Sequence, residues 1–228
     1  MTNNSSGRRY LSLVLFLFMT VSMVAVFAIG PLWAEGERYD RMEVPSPAEM
    51  AKEEEYCVSS ARIQVIVSAF TRVNRGLDHS TAASYASHVL EASENFGIHP
   101  FMIASIIIRE STVKPNARSR YAYGLMQINW KAHRNGLKKA FSQIQTLDDL
   151  LKPRNNILAG TWIFSWYLKS SDGDIKKALA KYLGRTGSKY INRVLAGYNA
   201  MLQEFEKNQD LVRTQIADIS PSIAYAVK

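Results

Sequence analysis

A single cysteine, Cys57, stands among 228 residues, so no intramolecular disulfide can form. Four histidines (His79, His88, His99 and His133) lack the spacing of a ligand set, and neither a structural metal nor a cofactor is expected. Internal repeats and low-complexity tracts are missing too. Acidic side chains are scarce over most of the chain. Residues 58–228 carry 23 basic and 12 acidic residues, whereas residues 35–57 carry 3 basic and 8 acidic. Such a cationic surplus points to an anionic polymer as partner. No nucleic-acid-binding motif accompanies it, so nucleic acid is not the expected one. Apolar surface, in contrast, is abundant. Hydrophobic residues make up 47% of the chain, enough to fill the core of one ordinary catalytic domain with appendages.

Residues 11–30 form a run of 20 residues without a charge, preceded by Arg8 and Arg9. That length suits a membrane-spanning helix, and the two arginines predict a cytoplasmic N-terminus with the remainder outside. Residues 1–34 are therefore expected to be a signal-anchor, or a cleaved signal ending at Ala34. In the first case the catalytic domain sits in the periplasm, tethered to the inner membrane; in the second it is released there. Residues 35–57, acidic and carrying Pro45 and Pro47, read as a linker that ends in a short helix through Met50 and Glu55. A catalytic domain over residues 58–209 and a tail over residues 210–228 complete the expected organisation.

Within that domain the apolar residues recur at helical spacing. Ile63, Ile66, Val67, Phe70 and Val73 predict a helix that stops near Gly76. Ser80 is a candidate N-cap for a second helix, with Tyr85, Val89 and Ala92 on one face and Gly97 at its end. Pro100 opens a third. Thr146 is expected to cap a short helix, Pro153 to start one rich in aromatics (Trp162, Phe164, Trp166, Tyr167), and Asp174 and Ser188 to cap two more. The aromatic stripe reads as core. Successive helices joined by short polar turns predict a mainly α domain.

The chemistry is expected at the end of the third helix. Ile103, Ile106, Ile107 and Glu110 fall at i, i+3, i+4 and i+7, so one carboxylate closes an otherwise oily face. Desolvation and the carbonyl end of the helix dipole both favour its neutral acid form. A glutamic acid still protonated near neutral pH is what acid-catalysed glycoside cleavage requires. The plainer alternative is a glutamate whose carboxylate reaches solvent.

Glu110-Ser111, then Pro115, Ala117 and Ser119, then Gly124-Leu125-Met126-Gln127-Ile128 resemble the signature of the soluble lytic transglycosylase family. Ala178-Leu179-Ala180-Lys181-Tyr182, Tyr190 and Val194-Leu195 resemble its later blocks, and Asn155, Asn156, Ile157, Ala159 and Gly160 the helix between them. The resemblance implies a lysozyme-like, mainly α fold of goose-type lysozyme kind, with a small irregular or hairpin segment after Ser111. It implies a peptidoglycan-cleaving enzyme acting on the bond between N-acetylmuramic acid and N-acetylglucosamine with one catalytic acid, Glu110. No second acid lies near the motif, as a two-carboxylate glycosidase would need. By the same resemblance Ser119, Gln127, Tyr182 and Tyr190 bind substrate. Ser119 bonds the glutamate or the sugar's acetamido group, Gln127 lines the cleft, Tyr182 orients the acid, and Tyr190 lies on the cleft side.

The chain departs from the pattern at Tyr182-Leu183-Gly184-Arg185, where the family has Tyr-Asn-Ala-Gly, and at Lys181 and Asn129. Two alternatives stay open: a hydrolytic muramidase drawing a second carboxylate from Asp148 or Asp149, and a membrane-tethered wall-binding module without catalysis.

Overall fold

The computed structural model describes residues 46–226, with side chains for residues 46–49 and 51–210. Eight helices follow one another among the described residues: α1 (Pro47–Val73), α2 (His79–Phe96), α3 (Pro100–Ser111), α4 (Trp130–Ala140), α5 (Leu147–Leu151), α6 (Pro153–Lys169), α7 (Ile175–Leu183) and α8 (Ser188–Ala226). The domain is mainly helical. Among the described residues, extended pairing is confined to two isolated antiparallel bridges, Arg118 with Tyr123 and Tyr123 with Ile128. α1 runs unbroken through residues 57 and 58, and α8 runs through residues 209 and 210, where the composition suggested domain limits.

Local chemistry sets most helix ends. Pro100 and Pro153 open α3 and α6, where a missing N–H costs nothing. Gly97 and Gly184 end α2 and α7 in the left-handed conformation. The cap of α2 is Asp78 rather than Ser80. The Asp78 carboxylate accepts from the Thr81 N–H at 2.9 Å and from the Ser80 hydroxyl at 2.6 Å. A carboxylate is the stronger acceptor, so the serine serves the cap instead of forming it.

α2 packs against α1 and α6, α3 against α8, and α6 against α7. In α3 the side chains of Phe101, Ile103, Ile106 and Ile107 are fully buried. Each contributes roughly 1.5–3 kcal/mol, so the helix is firmly held before its polar end is considered. Contact with α8 is close because both surfaces are small. Ser105 donates to the Val194 carbonyl at 2.6 Å, and a Cβ on Gly197 would lie 2.5 Å from the Ser105 hydroxyl oxygen.

The aromatic stripe on α6 is only partly core. Phe164 is buried and Trp162 and Tyr167 are half-buried, but Trp166 remains 60% exposed.

The expectation of an N-terminal membrane helix is corrected. Among the described residues no helix is long and apolar enough to cross a membrane. The long α1 fails because it carries charge along its length, including Lys52, Glu53, Glu54 and Glu55, and each charge in hydrocarbon is costly. Residues 11–30 and the Ala34 cleavage site lie outside the described residues. The signal-anchor, the membrane as partner and tethering to the inner membrane thus find no support among the described residues.

Candidate active site

Glu110 occupies the last turn of α3, half-buried, on the face shared with the buried Ile103, Ile106 and Ile107. Tyr190, near the start of α8, donates its hydroxyl to Glu110 Oε1 at 2.6 Å. The two residues are 80 positions apart, and the Ser105–Gly197 contact between their helices brings them together. Burial pushes the Glu110 carboxyl above its ordinary value of 4.5; the Tyr190 hydrogen bond and the neighbouring Arg109 guanidinium oppose that rise. Burial, then the carboxylate beside it, drive the Tyr190 phenol far up. Tyr190 is thus a permanent hydrogen-bond donor, and Glu110 holds its proton tighter than a solvated acid.

The chain leaves α3 under strain. Thr112 and Val113 both take left-handed backbone conformations, at φ 51° and 60°. For β-branched residues this is costly, and it turns the chain sharply away from Glu110. The turn is fastened by Asn74, whose amide donates to the Val113 carbonyl at 3.1 Å.

The Gly-Leu-Met-Gln-Ile loop is pinned from below. Buried Asn156 on α6 accepts from the Met126 N–H at 2.8 Å and donates to the carbonyls of Tyr123 at 3.1 Å and Leu150 at 3.0 Å. Gly124, at φ 82°, passes so close that a Cβ there would lie 2.2 Å from the Asn156 amide nitrogen. Met126 and Ile128 point into the core, as their spacing implies. Gln127 is left-handed at φ 48°, and its amide donates to the carbonyls of Ala117 and Gly124, both at 3.0 Å. Gln127 also lines an open pocket together with Asn129, His133, Tyr167 and Tyr182.

Tyr182 donates to the Met126 carbonyl at 2.8 Å, so it braces the loop; the hydroxyl that reaches the acid is that of Tyr190. Burial and the charge of Glu110 nonetheless raise the Tyr182 phenol well above its ordinary value, which puts the two groups in one electrostatic neighbourhood. Ser119 is exposed and accepts from the Ala122 N–H at 3.1 Å; its hydrogen bond closes the hairpin turn and not the acid. The Lys181 ammonium donates to the Ser170 carbonyl and hydroxyl at 2.7 and 3.0 Å, at the end of α6. Leu183 packs on Gly187, where a Cβ would lie 2.5 Å from it.

Asn74, Asn156 and His133 had no assigned role in the sequence. Asn156 carried a usable sign, its place in the block that resembles the family's middle helix. Among the described residues no group of three or more His, Cys, Asp or Glu side chains could hold a metal.

No solved structure matches the chain significantly. The family model described as the Transglycosylase SLT domain matches residues 87–219, more than half of the chain, and spans the acid, the pinned loop and both tyrosines. With that match and this arrangement, the chain belongs to the Transglycosylase SLT domain family.

Proposed function

We propose that this protein is a peptidoglycan lytic transglycosylase, acting in the cell envelope on the bond between N-acetylmuramic acid and N-acetylglucosamine. The observation that carries the reading is the single desolvated carboxyl of Glu110, hydrogen-bonded by Tyr190 at 2.6 Å. Its raised affinity for a proton suits a general acid. Glu110 gives that proton to the glycosidic oxygen, and the bond from the muramic C1 to that oxygen breaks. The acetamido oxygen of the same sugar stabilises the cationic C1. Glu110, now a carboxylate stabilised by the Tyr190 hydroxyl, removes the proton from the sugar's own 6-hydroxyl. That oxygen bonds C1 and closes a 1,6-anhydro ring, so no water is consumed. Gln127 and Tyr182 hold the glycan on the pocket side, and Ser119 contacts it from the hairpin.

The hydrolytic alternative needs a second carboxylate. Asp149 is engaged elsewhere, in hydrogen bonds to Thr146, Gln145 and Lys152. Glu91 is paired with Arg154, and Glu204 with Arg72.

The test is digestion of purified sacculi by the full chain, with the products read by mass spectrometry. Anhydro products, lighter by one water than hydrolytic ones and absent with Glu110→Gln, are expected. Reducing-end products would establish the muramidase instead, and binding without cleavage the wall-binding module.

A further inference from the structure

Trp166 is the most exposed tryptophan described, at 60%, and it stands on a helix whose neighbouring Ile163 and Phe164 are buried. Its ring lies 5.3 Å from that of Tyr167, tilted by 51°. Tyr167 in turn meets the rings of Tyr182 and His133 edge-on, each at 6.5 Å. A continuous series of rings therefore leads from the surface to Tyr182, the phenol that senses the charge of Glu110.

The pocket along this series is lined by neutral groups. Gln127 uses its amide N–H groups within the loop, which leaves its carbonyl oxygen as an acceptor. Asn129 uses its carbonyl oxygen to cap α4, accepting from the Ala132 N–H, which leaves its amide N–H groups as donors. The His133 ring nitrogens and the Tyr167 hydroxyl have no hydrogen-bond partner among the described residues. A charged ligand would find no counter-charge here. A ring with hydroxyl groups on its rim and C–H bonds on its face would find both donors and acceptors and an aromatic surface.

We infer that Trp166 and Tyr167, together with His133 and Asn129, form a saccharide subsite that stacks a neutral sugar of the glycan strand at the outer end of the pocket. The occupant rests on the wall-glycan reading above. Trp166 supplies the face, and Asn129, His133 and Tyr167 bond the hydroxyl and acetamido groups.

Calorimetric titration of the full chain carrying Glu110→Gln with chitotetraose tests the subsite without any cleavage. Adding Trp166→Ala should weaken binding about tenfold, and Trp166→Phe, which keeps a flat ring, much less. In the active chain, Trp166→Ala should raise KM for sacculi far more than it lowers kcat. Equal chitotetraose affinity with and without the Trp166 side chain, and an unmoved KM, would overturn the inference. So would a dimer that Trp166→Ala dissociates in sedimentation while sugar binding stays unchanged. If sacculi yield no anhydro product but chitotetraose binding still depends on Trp166, the catalytic reading fails and the subsite stands.

Discussion

Glu110 and Asp149 are both carboxylates at helix ends, and their surroundings drive them apart. Glu110 sits in the last turn of α3, among carbonyl dipoles and apolar side chains, and burial raises its affinity for a proton. Asp149 sits in the first turn of α5. The Lys152 ammonium, the Thr146 hydroxyl and the N–H groups of Gln145 and Thr146 hold it far below the ordinary carboxylate value. An acid must be able to keep its proton to give one away, so of the two only the first has surroundings suited to the general acid proposed above. The second is a structural anion. Carboxylate count in a motif says little; which end of which helix, and how dry, decides the chemistry.

The largest expected effect is on the active carboxylate itself. Glu110→Gln should lower turnover of sacculi by roughly 10²–10⁴-fold, the usual contribution of a positioned general acid. Its effect on stability should have the opposite sign at high pH. The folded protein binds the Glu110 proton more tightly than the unfolded chain, whose value is near 4.5. The stability linked to that proton is fully present below 4.5 and is lost as pH rises through the folded value. Glu110→Gln removes this loss. Urea denaturation should find the variant gaining on the native chain between pH 4 and pH 8; a gap independent of pH would mean the carboxyl is not desolvated.

The next effect concerns the Gly-Leu-Met-Gln-Ile loop. Gly124→Ala combines a left-handed backbone with a Cβ 2.2 Å from the buried Asn156 amide. Overpacking and backbone strain together should cost roughly 2–5 kcal/mol in denaturant titration. Asn156→Leu keeps the volume but strands the Met126 N–H and the carbonyls of Tyr123 and Leu150, and should cost a similar amount. Nearly full stability in both variants would mean that the loop is not held from α6.

These variants mark where sequence reasoning was sufficient and where it stopped. The position of Glu110 follows from local periodicity, because Ile103, Ile106 and Ile107 dictate which face of α3 turns inward. The helix openings at Pro100 and Pro153 and the Thr146 cap are likewise local. The tyrosine that bonds Glu110 was not legible. Tyr182 and Tyr190 both fit the resemblance, and the choice depends on how closely α3 and α8 approach at Ser105 and Gly197. The left-handed Thr112 and Val113 were equally hidden, since β-branched residues argue against that conformation and only the surrounding packing enforces it.

Tyr190→Phe should have a smaller effect than loss of the acid. A hydrogen bond to a charged group is worth about 1.5–3 kcal/mol, so kcat should fall roughly ten- to hundredfold. The direction of the pH profile is diagnostic. The Tyr190 hydroxyl favours the Glu110 anion, so its removal should raise the affinity of Glu110 for its proton further. The alkaline limb of kcat/KM, where the acid loses that proton, should then move to higher pH. A limb that moves down or stays put would assign Tyr190 to packing alone.

The smallest effect belongs to the structural carboxylate's cap. Thr146 accepts from the Asp149 N–H at 3.1 Å and donates to Asp149 Oδ2 at 2.8 Å. Thr146→Ala should cost about 1 kcal/mol, the usual worth of an N-cap, and lower Tm by about 2–4 °C. Cleavage of sacculi should change less than twofold, because the proposed mechanism gives Asp149 no part in the chemistry. The pH signature is the mirror image of that for Glu110. Asp149 is depressed below its ordinary 3.8, so the stability it provides is present above that value and is lost as pH falls through the folded one. With the cap weakened, the acid-induced loss of stability should shrink while the loss above pH 4.5 stays as in the native chain. Should Thr146→Ala instead abolish cleavage, Asp149 would have to be counted with the reacting groups, and hydrolysis with two carboxylates would replace the single-acid mechanism.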